Sequence, residues 1–212
     1  MGKISQGILG GFRGKVGNVI GGNWKGIDYM RVKPSSVANP KTEGQMDQRS
    51  RFNTVLSFLQ PMKEVIKIGF KNYAVKMTEF NSAMSYHLKN ALTGEYPDFT
   101  IDYNASLISR GTLLSALNGA AESTVANSVA FAWNNNSNGV DSFENDIPMV
   151  VAYNPSKNEA SYLIAGTRAD ENLTLLLPER FSGDEVHCFI AFKAAAGSKV
   201  SNSTYLGAVT VA

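Results

Sequence analysis

Apolar residues recur at helical spacing in the middle of the N-terminal half. Positions i, i+3, i+4 and i+7 of one window are all apolar, which predicts a helix with one buried face. These residues are Phe52, Val55, Leu56 and Leu59. Pro61 predicts the end of this helix, because proline lacks a backbone N–H and its ring clashes with the preceding turn. A second apolar set extends the helical pattern over residues 62–73, and a shorter helix is predicted over residues 82–92.

The first 34 residues show a different pattern, in which apolar side chains are interleaved with 9 of the 19 glycines. Each glycine in a helix interior costs roughly 1 kcal/mol relative to alanine, so this segment is a poor helix. It is also too apolar for a flexible linker. The pattern favours extended chain that lies close against another backbone. Lys25–Gly26 lies between predicted strands at residues 18–24 and 27–33 and predicts a hairpin turn.

From Phe99 onward, short runs of alternating polar and apolar residues replace the helical pattern. The predicted strands cover residues 100–103, 106–109, 128–133, 149–153, 160–165, 173–177, 186–192 and 203–212. About seven short strands with turn signals between them are typical of a β-sandwich. The predicted fold class is therefore α+β, with an N-terminal glycine-rich β-hairpin and helices followed by a C-terminal antiparallel β-sandwich. Thr93–Pro97 predicts the boundary between a basic helical region at residues 1–96 and an acidic sandwich at residues 97–212.

The second region resembles the fibronectin type III module. Trp133 matches the core tryptophan that ends the family's second strand, and Leu177–Pro178 matches the pair that follows its fifth strand. Gly183 then precedes a long alternating sixth strand, as in the family. Val186 opens that strand where the family usually has tyrosine, which is closer to a generic immunoglobulin-like sandwich. The resemblance covers roughly residues 98–212 and implies a fold alone, because such sandwiches serve adhesion, spacing and recognition alike.

A family of uncharacterised bacterial proteins has an N-terminal signature that this chain resembles at residues 14–31, which read GKVGNVIGGNWKGIDYMR. Residues 39–45, which read NPKTEGQ, belong to the same resemblance. With the sandwich included it covers nearly the whole chain, and it implies no activity. The NPKT-x-x-Q element before an amphipathic helix is also similar to short segments of phage structural proteins.

Charge is divided unevenly along the chain. Residues 1–89 contain 14 Lys and Arg against 5 Asp and Glu, a net charge of +9, whereas residues 90–212 contain 6 against 13, a net charge of −7. A basic half fits a polyanion such as nucleic acid. It also fits the acidic half of a second copy, and such heterologous contacts generate rings or filaments. Charge clustered on a solvated surface is the third interpretation.

A basic stripe accompanies the second helical segment. Lys63, Lys67 and Lys71 recur every four residues, which places them on one flank of a helix.

None of the glycine or histidine patterns predicts catalysis. Gly17 and Gly22 have the spacing of the two P-loop glycines, but Asn23 stands where the lysine should be. His187 and Cys188 are neighbours in a predicted strand and point to opposite faces, so they cannot both bind one metal ion without a bulge. We therefore predict that the protein is not an enzyme and has no catalytic, cofactor-binding or metal-binding residue.

Two weaker candidates for chemistry remain. His87 lies on a predicted helix and is expected at its surface or rim. The loop at residues 141–146 carries three acidic side chains, but their spacing does not match an EF-hand calcium site. Acidic side chains in such loops are ordinarily solvated.

The single cysteine, Cys188, excludes an intrachain disulfide and fits a reducing compartment. Arg13 cuts short the apolar stretch at residues 8–12, so no signal peptide is predicted. No run of about 18 apolar residues predicts a transmembrane helix. The expected location is the cytoplasm by default, with an assembled particle or signal-independent export as alternatives.

The apolar, glycine-rich N-terminal region is the predicted contact surface for a partner. That partner is a second copy of the chain or another protein of an assembly such as a virion, tail or filament. The residues predicted to contact it are Ile8, Leu9, Phe12, Val16, Val19, Ile20, Trp24, Tyr29 and Met30. The leading functional hypothesis is therefore a non-catalytic structural protein that self-associates.

Two other functions fit the sequence. A nucleic-acid-binding protein would use cations interleaved with aromatic side chains. The predicted polyanion-binding residues are Arg13, Lys15, Lys25, Arg31, Lys33, Arg49 and Arg51. A ligand- or glycan-binding sandwich would use aromatic side chains near its loops, and Phe143 and Tyr153 are the nearest candidates.

Overall fold

The computed structural model describes residues 3–4, 12–24, 27–36 and 41–212. The chain divides into two compact units, at residues 1–42 and residues 43–212. Helices and antiparallel sheets are both present, which confirms the predicted α+β class. None of the described helices is long and apolar enough to cross a bilayer.

In the described part of the first unit, four strands follow one another in chain order in an antiparallel sheet. They are β1 (Lys3–Ile4), β2 (Phe12–Val16), β3 (Val19–Trp24) and β4 (Ile27–Val32). Trp24 pairs with Ile27, which confirms the predicted strand pairing, and the turn residues Lys25 and Gly26 lie outside the described residues. A second hairpin, which the sequence pattern did not predict, turns at Gly17 with φ of +57°. Glycine tolerates this left-handed conformation at the first central position of a hairpin turn.

Three helices open the second unit. They are α1 (Glu43–Leu59), α2 (Lys63–Gly69) and α3 (Glu79–Asn90). Helix α1 ends two residues before Pro61, as predicted, and a 3₁₀ turn at Gln60–Met62 leads into α2. Helix α3 begins earlier than the predicted residue 82, because the Thr78 side chain accepts a hydrogen bond from the Asn81 N–H at 3.2 Å and caps the helix.

A hairpin, β5 (Leu92–Glu95) with β6 (Asp98–Ile101), connects the helices to a seven-stranded sandwich. The sandwich strands are β7 (Leu117–Glu122), β8 (Ser128–Asn134), β9 (Ile147–Asn154), β10 (Glu159–Ile164), β11 (Asn172–Leu176), β12 (Glu185–Lys193) and β13 (Thr204–Thr210). One sheet has the order β10-β9-β12-β13 and the other the order β11-β8-β7. The fourth strand, β10, thus pairs with the third, whereas in constant-type immunoglobulin domains the fourth strand joins the other sheet.

Side chains from both sheets of the sandwich form one apolar core. Phe131 and Trp133 enter it from β8, and Ile190 and Phe192 enter it from β12. Trp133 lies edge-on to Phe192, with ring centroids 5.7 Å apart. The tryptophan that carries the resemblance to fibronectin type III modules is therefore a core residue.

The helices pack on the other face of the four-stranded sheet. The Phe58 ring of α1 lies 5.1 Å from the ring of Tyr153 and 6.4 Å from that of Phe189, measured between centroids. All three residues belong to one buried cluster that also contains side chains of α2 and α3. The boundary predicted between residues 96 and 97 therefore lies inside the second unit, because helices and sandwich share a core.

The predicted strand at residues 106–109 is wrong. This segment is irregular and buried between α2 and the chain at residues 201–203. The Ile108 N–H donates to Ser203 Oγ at 2.9 Å, and the Ser109 hydroxyl donates to the Ser201 carbonyl at 2.7 Å. The Ser203 N–H also donates to the Ser109 carbonyl at 3.0 Å, so a mixture of side-chain and main-chain hydrogen bonds is present where the alternating pattern suggested a strand ladder.

Replacing Phe58 with alanine should destabilise the sandwich as well as the helices, by about 3–5 kcal/mol, because the ring is buried between them. The free energy of unfolding can be followed through Trp133 fluorescence in a Trp24→Phe background, since the chain has two tryptophans. The control is Val75→Ala, at a side chain that is 69% exposed. An unchanged Trp133 unfolding midpoint in Phe58→Ala would show that helices and sandwich are independent.

Candidate functional site

The N-terminal sheet has two chemically different faces, because successive side chains of a strand point to opposite sides. One face carries the cross-strand row Val16–Val19–Val32. In the adjacent row, Met30 lies opposite Gly21. Met30 and Val32 are 71% and 74% exposed, and Val16 and Val19 are also exposed. We call this surface, formed by Phe12, Val16, Val19, Met30 and Val32, the apolar face.

Gly21 and Gly22 leave one bare position on each face of β3, and an aromatic ring covers each of them. A Cβ at Gly21 would clash with the Phe12 main-chain carbonyl oxygen and would also lie 2.7 Å from Phe12 Cδ2 on the apolar face. A Cβ at Gly22 would lie 2.9 Å from Tyr29 Cζ on the opposite face. Both positions therefore require glycine, because a Cβ would clash with the main chain and ring of Phe12 at one and with the Tyr29 ring at the other. Such close contacts between glycine and neighbouring chain explain how a glycine-rich segment forms part of a sheet.

The opposite face is basic. Its central cross-strand row is Lys15–Ile20–Arg31, and Arg13 points to the same side because it is two residues from Lys15. Arg13, Lys15 and Arg31 are exposed, and the Tyr29 ring lies beside them at 47% exposure. Lys33 follows the end of β4, where its N–H donates to the Asn18 carbonyl at 2.7 Å. We call the surface formed by Arg13, Lys15, Tyr29, Arg31 and Lys33 the basic face.

The residues predicted to contact a partner are divided between the two faces. Phe12, Val16, Val19 and Met30 lie together on the apolar face, whereas Ile20 and Tyr29 lie on the basic face. The structure describes only the backbone of Trp24, and Ile8 and Leu9 lie outside the described residues. Val32 is an apolar-face residue that the prediction missed. The register of the β3–β4 hairpin pairs Val32 with Val19 and so places both side chains on the same face.

The residues predicted to bind a polyanion are also divided. Arg13, Lys15, Arg31 and Lys33 belong to the basic face, and Lys25 lies outside the described residues. Arg49 and Arg51 instead belong to α1 of the second unit. The Arg51 guanidinium pairs with Asp47 at 3.0 Å and lies 4.8 Å from the centroid of the Phe99 ring, so it is already engaged.

His87 is buried, not at the surface as predicted. Its Nδ1–H donates to the Ala83 carbonyl at 2.8 Å, and its Nε2 accepts the Leu107 N–H at 3.3 Å. The neutral ring therefore has both nitrogens satisfied. Burial lowers the pKa of His87 to about 4. The residue acts as a structural link between α3 and the irregular segment at residues 106–109.

His187 and Cys188 point to opposite faces of β12, as predicted. The His187 ring stacks on Tyr103 at 3.6 Å between centroids, and its Nδ1 lies 2.7 Å from the Tyr205 hydroxyl. Cys188 lies in the sandwich core, where burial raises the pKa of its thiol to about 12. Within the described residues no group of three or more His, Cys, Asp or Glu side chains could hold a metal ion.

Asp146, in the acidic loop at residues 141–146, is buried and pairs with Arg168. Its Oδ2 lies 3.2 Å from Arg168 Nη2, and both side chains are almost wholly buried. The Arg168 guanidinium also donates to the Leu114 carbonyl at 3.0 Å and lies 3.7 Å from the centroid of the Phe192 ring. This ion pair joins three loops at one end of the sandwich. Asp146 is therefore buried, whereas the sequence pattern predicts solvated acidic side chains in this loop.

The two candidate glycan-contacting aromatics do not come together. Phe143 precedes β9 and Tyr153 lies near its other end, so the eight-residue strand separates them. Tyr153 is buried, and its hydroxyl donates to Asn158 Oδ1 at 3.1 Å. Phe143 is 43% exposed. A stacking platform for a sugar would need both rings on one surface.

Sequence comparison extends across nearly all of these elements. The sequence model of a family of unknown function, DUF6266, matches residues 11–207. This range contains β2 to β4, all three helices and most of the sandwich, and it confirms the resemblance to an uncharacterised family. No curated protein matches the chain.

The protein should lose stability as the pH falls from 6.5 towards 4, because the unfolded His87 takes up a proton that the folded ring resists. Between pH 7.5 and pH 5 we expect a loss of about 2 kcal/mol from this group in urea unfolding. The loss should shrink in His87→Gln, and the NMR signal of the wild-type His87 ring should not titrate above pH 5. A titration midpoint near 6.5 would contradict the buried, neutral ring.

Proposed function

We propose that this chain, which belongs to DUF6266, a family of unknown function, is a non-catalytic structural protein. It self-associates or joins a larger assembly through the apolar face of the N-terminal sheet. The observation that carries this proposal is the row of exposed valines beside the exposed Met30. Contiguous apolar side chains on a protein surface are characteristic of interaction sites.

The energy available from covering this face is substantial. Fully burying a valine or methionine side chain contributes about 1.5–3 kcal/mol. Four such residues, Val16, Val19, Met30 and Val32, therefore offer several kcal/mol to a partner that covers them. A sheet of this kind is stable when a second layer covers its apolar face, and a neighbouring protein can supply that layer.

The edge of the sheet supports the same proposal. Strand β4 lies at the end of the strand order, so one side of its backbone is not paired within this sheet. An open strand edge can accept a strand from another chain, which adds main-chain hydrogen bonds to apolar contact. Met30 and Val32 lie on this edge strand, so edge pairing and face packing would involve the same segment.

The basic face favours a second function, binding of nucleic acid. Arg13, Lys15, Arg31 and Lys33 would contact phosphates, and Tyr29 would stack on a base. The two functions use opposite faces of one sheet and are therefore separable by mutation. In either case the single cysteine is a buried free thiol, which is compatible with the cytoplasm and with an assembled particle.

The double variant Met30→Gln/Val32→Thr should weaken self-association at least about tenfold, because it removes apolar area and leaves the strand intact. Sedimentation equilibrium over a wide concentration range measures the dissociation constant. The matched control, Arg31→Gln/Lys33→Gln on the basic face, should leave the constant unchanged. A wild-type protein that stays monomeric at high concentration and binds no assembly partner would refute this function.

The basic-face variant Arg31→Gln/Lys33→Gln tests the second function. Wild-type protein should be retained on DNA or RNA at low salt and released as the salt concentration rises, because binding releases counterions. The variant should elute earlier, with a shallower dependence on salt, whereas Met30→Gln/Val32→Thr should elute like wild type. Absence of salt-sensitive retention of the wild type would remove nucleic acid from consideration.

A further inference from the structure

A cavity of about 570 Å³ lies in the second unit, between α2, the start of α3, strand β10 and the turn at residues 194–199. We infer that it is an anion-binding site for a compact oligophosphate. No described residue of the N-terminal sheet lines this cavity, and the inference does not rest on the proposed self-association. Its volume lies within the range of about 300–1,000 Å³ that is usual for small-molecule sites.

Four lysines line the cavity: Lys67, Lys71, Lys193 and Lys199. Within the described residues none of them forms an ion pair. Glu64 and Glu79 also line it, so the formal charge of the wall is four positive against two negative, a net of +2. An excess of unpaired ammonium groups around one cavity attracts a multiply charged anion.

The fold ties the lysines to both sides of the cavity. Lys193 ends β12, and its backbone bridges to Val200. The Ala194 N–H donates to the Lys199 carbonyl at 2.9 Å, which holds Lys199 beside Lys193 in a tight turn. Across the cavity, Asn72 Nδ2 donates to the Ser198 carbonyl at 2.9 Å, so the turn is fastened to the segment that follows α2. The two pairs of cations are therefore held at one opening.

The floor of the cavity is apolar. Ile68, Ile164 and Val200 line it and pack on the buried residues Met149 and Ala191. Charges near such a floor interact more strongly than in water, because the local dielectric constant is lower. A cavity with apolar walls and a few converging polar groups is the usual form of a small-molecule site.

The cations that line the cavity are lysines, which act as point charges. Among the described residues that line the cavity there is no arginine, so no planar fork is present to bind a carboxylate or a phosphate in a bidentate manner. Ammonium groups act as point charges, which suit the oxygens of phosphate groups in several orientations. An oligophosphate also carries several negative charges on a short chain, which suits a cavity lined by four lysines.

The basic stripe identified in the sequence, Lys63, Lys67 and Lys71, lies along two adjoining cavities. A neighbouring cavity shares Glu64, Lys67 and Glu79 with the first one and adds Lys63. Lys63, Lys67 and Lys71 thus all line this pair of adjoining cavities, the first two on α2 and Lys71 on the 3₁₀ turn Lys71–Tyr73 that follows it. Lys193 and Lys199, from the acidic half of the chain, complete the site.

Calorimetric titration of the full-length protein with tripolyphosphate tests the site. We expect binding at low salt that weakens as the salt concentration rises, and binding of citrate that is at least about tenfold weaker. The variant Lys67→Gln/Lys199→Gln should weaken tripolyphosphate binding at least about tenfold. The control Lys76→Gln/Lys89→Gln removes the same charge from exposed lysines outside the cavity and should change it less than about twofold.

Three results would overturn the inference. They are no binding of tripolyphosphate to the wild type, equal losses in the two double variants, and citrate binding as tight as that of tripolyphosphate. Thermal unfolding of each variant establishes that it is folded. If Lys67→Gln/Lys199→Gln does not fold, the single variant Lys67→Gln, at an exposed position of α2, is tested in its place. Its control is then the single variant Lys89→Gln.

Discussion

Strands β9 and β12 carry apolar side chains on both faces, and the second unit is organised around covering them. Along β9, Val150 and Ala152 face the sandwich core, whereas Val151 and Tyr153 face the helices. A sheet that is apolar on both faces needs a layer on each side. The three-stranded sheet supplies one layer and the helices supply the other. The helices therefore form a further layer on the sandwich and belong to the same compact unit.

The buried polar groups of the second unit depend on this double covering. His87 and the Arg168–Asp146 pair lie out of water, and hydrogen bonds satisfy the His87 ring and hold the Arg168 guanidinium. A buried ion pair is weak evidence of stability, but it specifies which loops meet, because either charge alone would be costly. Trp133 Nε1–H donates to the Arg168 carbonyl at 2.8 Å, which connects this polar network to the core of the sandwich.

The positive charge of the N-terminal half does not form one surface. Part of it lies on the basic face of the N-terminal sheet, part on α1, and part around the lysine-lined cavity. The cavity also draws Lys193 and Lys199 from the half whose net charge is negative. The apolar face lies on the other side of the sheet from the basic face. The alternation of a β-strand thus separates an apolar and a basic surface that the sequence presents as one mixed segment.

Local patterns in the sequence determined the helices, most of the sandwich strands and the β3–β4 hairpin, because helical and strand periodicity depend on residues a few positions apart. Residues 106–109 alternate like a strand, yet Ile108 and Ser109 form hydrogen bonds with residues 201–203, which are distant in the chain and which no local pattern reveals. Burial of His87, the pairing of Arg168 with Asp146 and the gathering of lysines around one cavity required the tertiary structure for the same reason. Each joins residues far apart in the chain, and only the packing of layers brings such residues within reach of one another.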